Sequence, residues 1–144
     1  MLYLGADHRG YYLKEAIKKY LASRNIEFKD LGNLEYEKND DYPDLAKKVA
    51  KAVQENPQKN RGILICGTGI GVSITANKFK NIRAGLCLSS WIAQKAREDD
   101  DINIVCLAAD LTDENTAFHI VYTFLTTQFL NKTKYKRRIK KIEL

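Results

Sequence analysis

The chain has 144 residues, of which 44% are hydrophobic and 29% are charged. This length suits one domain that buries a core without disulfide bonds or a structural metal, and the composition is that of a globular protein. No apolar run approaches the roughly 20 residues that cross a bilayer, and the first residues lack the basic leader of a signal peptide. We therefore expect a single domain over residues 1–144, no membrane partner and a cytoplasmic location.

The net charge of +6 is concentrated near the end of the sequence, where residues 131–144 contain seven Lys or Arg. This pattern predicts a basic helix or tail. In a helix, Lys134, Arg137, Arg138 and Lys141 would lie on one side and could clamp a phosphate. Aromatic side chains suited to base stacking are sparse around the segment, so a solvated face is expected rather than a nucleic-acid surface.

Three cysteines are present, Cys66, Cys87 and Cys106. An odd number cannot all pair within one chain, and none belongs to a CxxC or Cys/His cluster with metal-ligand spacing. Disulfide bonds and a metal site are therefore not expected. Cys87 and Cys106 lie in apolar, strand-like runs and are predicted core residues, whereas Cys66 precedes a glycine-rich turn.

The predicted elements alternate between strands and helices. Short apolar runs predict the strands, and apolar residues spaced three and four apart predict the helices. In chain order we expect a strand at 1–6, a helix around 13–21, a strand at 28–31, a helix from Pro43 to about 53, a strand at 62–66, a helix at 72–79, a strand at 84–88, a helix at 91–97, a strand at 104–107 and a helix around 117–125.

This alternation predicts an α/β fold with a five-stranded parallel sheet covered by helices on both faces. Ligands bind outside the carboxyl ends of the strands in such sheets. Three segments are therefore candidate sites. They are Asp7-His8-Arg9 after the first strand, residues 66–71 after the third, and the acidic run that ends at Asp101 before the fifth.

The segment after the third strand could carry chemistry. Three glycines, Gly67, Gly69 and Gly71, allow a tight turn that presents several N–H groups to one point, which suits an anion, and Cys66 beside them could act as a base or nucleophile. Alternatively Cys66, which ends an apolar strand, is only a core residue. The glycine spacing matches neither the dinucleotide fingerprint nor the P-loop, so the glycines alone could simply form a tight strand-to-helix turn. Thr68 either caps the next helix or points at a bound oxygen.

Two further clusters are weaker candidates. Asp7 could bind sugar hydroxyls and His8 could contact a phosphate or move protons, although Asp7 could equally cap the first helix. The acidic run Glu98–Asp101 ends a predicted helix, an unfavourable place for negative charge given the helix dipole. This unfavourable placement indicates that the acidic run could form part of a functional site.

Four segments together resemble the ribose-5-phosphate isomerase type B and galactose-6-phosphate isomerase family over nearly the whole chain. They are Gly5-Ala6-Asp7-His8-Arg9-Gly10, Asp41-Tyr42-Pro43-Asp44, Cys66-Gly67-Thr68-Gly69-Ile70-Gly71 and Ala76-Asn77-Lys78. The resemblance implies a Rossmann-like three-layer α/β/α sandwich. It also implies a homodimer or tetramer with active sites between subunits, a phosphorylated sugar as substrate and no cofactor.

The resemblance also implies roles for individual residues. Cys66 would be the base that moves a proton between C2 and C1 of an open-chain aldose phosphate through a cis-enediol(ate), with Thr68 assisting. The amides of Gly67, Gly69, Ile70 and Gly71 would form the oxyanion-binding turn.

The substrate would be held by side chains from both ends of the sequence. Asp7 and Tyr42 would line the sugar pocket. His8, Lys134 and Arg138 would contact the phosphate.

Three acidic residues depart from the ribose enzymes. Asp99 stands in place of the ring-opening histidine, Asp100 in place of the adjacent asparagine, and Asp110 in place of an arginine expected to contact substrate. Asp99 could replace the histidine as acid or base among crowded carboxylates. We expect ribose 5-phosphate and ribulose 5-phosphate as the substrate pair. The alternatives are another aldose phosphate of the galactose 6-phosphate or allose 6-phosphate type, and a sugar-phosphate or nucleotide-binding module without turnover.

Overall fold

The structure, a computed structural model, describes residues 1–143. It contains eleven elements, which alternate between strand and helix, as the sequence predicts, except that the last two are both helices. They are β1 (Leu2–Ala6), α1 (Tyr11–Ser23), β2 (Phe28–Asp30), α2 (Tyr42–Gln54), β3 (Arg61–Cys66), α3 (Ile70–Ala76), β4 (Ala84–Leu86), α4 (Ser90–Asp100), β5 (Ile104–Ala108), α5 (Glu114–Thr126) and α6 (Thr133–Ile142).

Several predicted boundaries are wrong by two or three residues: α4 ends at Asp100 rather than Arg97, α3 starts at Ile70, and the ends of β4 and α3 also differ. Helix α3 ends at Ala76 rather than Phe79 because the next side chain, Asn77, exchanges two hydrogen bonds with the backbone of Ala84, at 2.8 and 2.9 Å, and so ties the chain to β4. Strand β4 ends at Leu86 because the chain turns towards Ser89, which caps α4.

The five strands form one parallel sheet in the order β2-β1-β3-β5-β4. The central strands β3 and β5 are buried on both faces, which is why they read as continuous apolar runs. Separate apolar clusters lie on the two faces, one formed with α1, α4 and α5 and the other with α2 and α3. The predicted α/β class, the strand number and the three layers are confirmed.

The basic C-terminal segment forms α6, of which Tyr135 is the buried residue. The prediction of a basic helix is therefore confirmed for residues 133–142, and the final residue of the predicted segment lies outside the described part of the chain. Among residues 1–143, none of the helices has the length and apolar character required to cross a membrane.

A buried lysine, which the apolar pattern does not predict, links α1 to β2. The Lys14 side chain is fully buried, and its ammonium group donates to Asp30 and to the carbonyl of Asn33, the latter at 2.9 Å. Lys18 also contacts Asp30, at 2.8 Å. Burial alone would raise the pKa of Asp30, but hydrogen bonds from Lys14 and Lys18 outweigh it and hold that pKa below its ordinary value of 3.8.

We expect Asp30→Asn to lower the free energy of unfolding by about 3–5 kcal/mol at pH 7, because the charge of Lys14 would stay buried without its partner. The depressed pKa means that Asp30 stabilises the fold above its unfolded-state pKa, and that this contribution is lost as the pH falls through the folded-state pKa. The difference in stability between the wild-type and variant proteins should therefore begin to shrink as the pH falls below about 3.8, and should vanish only below the lower folded-state pKa of Asp30. Urea unfolding at several pH values, with the more exposed Glu15→Gln as control, measures this; a difference that persists in acid would contradict it.

Candidate active site

The carboxyl edge of the sheet brings together side chains from three neighbouring strands. Asp7 directly follows β1, Cys66 ends β3, and Asp110 lies two residues beyond β5. The strand register pairs Ala6 with Ile65 and Cys66 with Ala108, so these ends are level. A parallel sheet places its ligand sites at this edge.

Cys66 lies directly before the glycine turn, residues 67–71, which leads from β3 into α3. Its side chain is buried, and the backbone N–H of Gly69 donates to Sγ at 3.1 Å. A hydrogen bond donated to sulfur stabilises negative charge there, which a proton-accepting thiolate requires. Gly69 adopts φ 73°, a left-handed conformation that favours glycine, and a β-carbon there would approach the carbonyl oxygen of Leu107 to 3.0 Å.

A cleft of about 310 Å³ opens above Cys66. It contains most of the residues predicted to touch substrate, together with Arg9 and Ile74. The lining residues are Asp7, Arg9, Tyr42, Cys66, Gly67, Thr68, Ile70, Gly71 and Ile74. The volume is at the lower end of the range for small-molecule sites and suits a small phosphorylated sugar.

Tyr42, the first residue of α2, packs against the turn at Gly71. A β-carbon at Gly71 would lie 2.6 Å from the Tyr42 ring carbons Cε2 and Cζ. Only glycine at this position therefore leaves space for the ring. Thr68 is exposed, and its hydroxyl accepts a hydrogen bond from the N–H of Ile70 at 3.3 Å.

Asp7 holds the turn between β1 and α1 and also lines the cleft. Its Oδ1 accepts hydrogen bonds from the backbone N–H groups of Arg9 and Gly10, at 3.0 and 3.1 Å. The N-cap of α1 is Gly10 rather than Asp7. Asp7 therefore has a structural role in this turn without being the helix cap.

His8 is oriented by Asp40, a residue that the sequence analysis did not single out. Oδ1 of Asp40 lies 2.8 Å from the His8 ring nitrogen Nδ1 and accepts the His8 backbone N–H at 2.9 Å, while Asn33 donates to Oδ2 at 2.7 Å. Candidate ligand atoms of Asp7, His8 and Asp40 lie within 4.8 Å of one another. Carboxylate oxygens of both aspartates already accept hydrogen bonds, so the arrangement orients His8 without requiring a metal.

Arg9 and Asp110 form an ion pair at the mouth of the cleft. The sequence indicates Arg9 only as a member of the segment Asp7-His8-Arg9, because nothing in its local sequence distinguishes it from an exposed arginine. Its contact with Asp110 depends on the strand order, which places the segments after β1 and β5 on either side of β3.

The acidic run lies at the opposite edge of the sheet, so its expected place beside the Cys66 segment is wrong for a single chain. Helices that connect parallel strands run antiparallel to them, and α4 therefore ends near the start of β5. A strand of five residues separates the two edges by about 17 Å. Within residues 1–143, the lining of the Cys66 cleft includes none of Asp99, Asp100, Lys134 and Arg138.

Local partners account for part of this acidic run. Asp101 contacts Arg97 at 2.6 Å and Arg83 at 3.2 Å, and Glu98 contacts Lys95 at 2.7 Å. These cations therefore offset the unfavourable interaction between the acidic side chains and the C-terminal end of the α4 dipole.

The other two acidic residues of this run face α6. The Asp99 carboxylate raises the pKa of the Tyr135 hydroxyl. Burial, and next the charge of Asp99, raise the pKa of Asp100, against opposing effects of Arg138 and Arg83. Asp99, Asp100 and α6 therefore form a second group of predicted site residues, separate from the group around Cys66.

We expect Cys66 to be the first thiol to react with iodoacetamide. Burial raises the pKa of Cys87 to about 12, and burial together with the neighbouring thiols raises that of Cys106, so both hold little thiolate near neutral pH. Cys66 instead borders an open cleft. Peptide mass spectrometry after brief labelling measures the order, with Cys66→Ala as control, and earlier labelling of Cys87 or Cys106 would contradict it.

Comparisons with known proteins identify the family of the chain. A sequence model of the Ribose/Galactose Isomerase family matches residues 2–142. The chain is 40% identical over 141 residues to the probable ribose-5-phosphate isomerase B of Mycoplasma genitalium, covering 98% of this chain and 92% of that protein. It is 40% identical over 125 residues to the ribose-5-phosphate isomerase B of Escherichia coli, covering 87% and 83%.

Solved structures show the same fold. The crystal structure of the Mycoplasma genitalium enzyme with bound ribulose 5-phosphate superposes with a TM-score of 0.94 at 40% identity, covering 98% of this chain and 92% of that chain. The enzyme from Thermotoga maritima superposes with a TM-score of 0.93 at 43% identity, covering 99% and 96%. The chain therefore belongs to the ribose/galactose isomerase family.

Proposed function

We propose that this protein interconverts ribose 5-phosphate and ribulose 5-phosphate, with Cys66 as the base. The observation that carries the proposal is the position of the Cys66 sulfur, which accepts an N–H from the glycine turn beneath a cleft lined by Asp7 and Tyr42. The similarity to ribose-5-phosphate isomerases B, one of them with bound ribulose 5-phosphate, supports the choice of substrate.

The reaction transfers a proton without net oxidation. The Cys66 thiolate removes the proton from C2 of the open-chain aldose, the electron pair forms the C1–C2 double bond, and the C1 oxygen becomes negatively charged. Amides of the turn 67–71 and the Thr68 hydroxyl supply donors for that oxygen. A proton passes between the two oxygens, and the Cys66 thiol returns its proton to C1 to give the ketose.

We propose that two copies of the chain form each site. Asp99, Asp100, Lys134 and Arg138 lie at the edge opposite the Cys66 cleft and would reach the substrate from a partner subunit. Lys134 and Arg138 would hold the phosphate together with His8. Asp99 would donate or accept the proton for ring opening, and Asp100 would contact the sugar. Residues 1–144 would act as one domain, and three free cysteines favour the reducing cytoplasm.

A phosphorylated six-carbon aldose is the second candidate substrate. Aspartate at 99, 100 and 110 alters the part of the site expected to meet the ring and the phosphate, while the proton-transfer residues are all present. The same substitutions favour, as a third candidate, a module that binds the sugar phosphate without turning it over.

The experiment is a turnover assay on the purified protein with a chelator and no added cofactor. Ribose 5-phosphate, allose 6-phosphate and galactose 6-phosphate are compared by NMR detection of each ketose. We expect ribulose 5-phosphate to form fastest, at the same rate with and without chelator. Faster conversion of a six-carbon sugar would change the assigned substrate, and binding without any ketose would favour the binding module.

A further inference from the structure

The ion pair between Arg9 and Asp110 crosses the end of β3, and Arg9 lines the cleft. Arg9 follows β1 and Asp110 follows β5, the two strands that flank β3. The backbone N–H of Asp110 also donates to the carbonyl of Gly67 at 3.0 Å. A β-carbon added at Gly67 would overlap the Arg9 guanidinium group, so glycine here leaves the space that the guanidinium occupies.

Arg9 gives the cleft a positive charge. Among the cleft-lining residues of the described chain, it is the one Lys or Arg. The other ionisable groups there, Asp7, Tyr42 and Cys66, carry negative charge or none. A sugar phosphate brings about two further negative charges, which this lining would repel without a cation.

The guanidinium retains donors for a ligand. Its side-chain hydrogen bond within residues 1–143 goes to Asp110, through one terminal nitrogen. The remaining N–H groups have no partner in that part of the chain. A guanidinium group binds phosphate through two parallel N–H bonds, so Arg9 can contact both Asp110 and a phosphate.

Stability does not account for this pair. The Arg9 side chain is 51% exposed and that of Asp110 is 42% exposed. Ion pairs this exposed contribute little to folding. Variants at either position should therefore fold normally, which allows their binding properties to be measured.

We propose that Arg9 binds the phosphate group of the sugar substrate and that Asp110 is a positioning residue that holds its guanidinium across the end of β3. The proposal rests on the proposed function, since it assigns a further binding residue to the same site. Arg9 would supply a contact from the Cys66 chain itself, in addition to those of Lys134 and Arg138 from a partner subunit.

The test measures Arg9→Ala against the wild-type protein. We expect the Kd of ribose 5-phosphate and that of inorganic phosphate, both by calorimetry, to rise about tenfold or more, because a charge-assisted contact is lost. The KM should rise by a similar factor while kcat changes less than about threefold, because the contact exists in both the ground and transition states. Arg9→Lys should recover part of the affinity, since it restores the charge without the paired donors.

Two further variants separate positioning from binding. Asp110→Asn should raise both Kd values by a smaller factor, about two- to fivefold, because the guanidinium stays but is held less well. Arg24→Ala, which removes an exposed arginine at the far end of α1, should leave them unchanged.

An increase below about threefold in both Kd values of Arg9→Ala would overturn the proposal, as would a fall in kcat with unchanged KM. The binding measurements remain decisive if the wild-type protein binds ribose 5-phosphate without turnover. In that case the isomerase function fails while the role of Arg9 is still tested.

Discussion

Replacing Cys66 with alanine is expected to lower kcat for ribose 5-phosphate by a factor of about 10²–10⁴, the contribution typical of a positioned general base. The alanine variant retains the turn and the cleft walls but has no group to accept the C2 proton. Binding should change little, so the KM stays within a few-fold. Steady-state kinetics measures this, together with exchange of the C2 proton for deuterium followed by NMR.

Cys87→Ala is the matched control because Cys87 is buried in the core face that contains α1 and α5. It should reduce stability while leaving kcat within about twofold, since it is remote from proton transfer. Unchanged deuterium exchange in Cys66→Ala would show that another group is the base. A similar loss of exchange in both variants would indicate that folding, rather than chemistry, is affected.

Mixing two inactive variants is expected to restore activity if each site combines opposite sheet edges from two subunits. Cys66→Ala lacks the base, and Arg138→Ala lacks a phosphate contact from α6. In a mixed dimer one site carries both substitutions and the other carries neither. With equal amounts, half of the dimers are mixed, so about a quarter of the wild-type activity should return.

The control pairs Cys66→Ala with Asp7→Ala, two positions in the same cleft of the same chain. Every site of that mixed dimer contains one of the substitutions, and activity should not return. Co-expression with two affinity tags yields the mixed species, and native mass spectrometry verifies it. No recovery with Arg138→Ala in the verified mixed dimer would contradict a shared site.

Most of the fold follows from local pattern. Apolar runs and helical spacing predict all five strands and the order of the helices, because each element buries one face against the sheet. The ends of α3 and β4 depend instead on hydrogen bonds that the side chains of Asn77 and Ser89 accept from the backbone N–H groups of Ala84 and Ile92. Lys14 was also missed, since its buried charge depends on Asp30, which is distant in sequence.

The Cys66 half of the candidate site could be predicted because its chemistry lies in one short segment at the end of a strand. The role of Arg9 could not be predicted in this way, because its partner Asp110 lies 101 positions away and only the strand order brings the two together. The acidic run was assigned to the wrong edge because proximity to a strand does not distinguish its two ends. Residue roles at both edges remain predictions.

The buried Lys14 also influences the segment between β2 and α2. Lys14 donates a hydrogen bond to the Asn33 carbonyl, and the Asn33 side-chain amide donates to Asp40. Asp40 in turn accepts the backbone N–H of His8 and is hydrogen-bonded to its ring. Local opening of this segment must break a chain of bonds that begins in the core. The His8 amide should therefore exchange its hydrogen with solvent slowly, and the rate of that exchange reports how often the histidine loses its orientation.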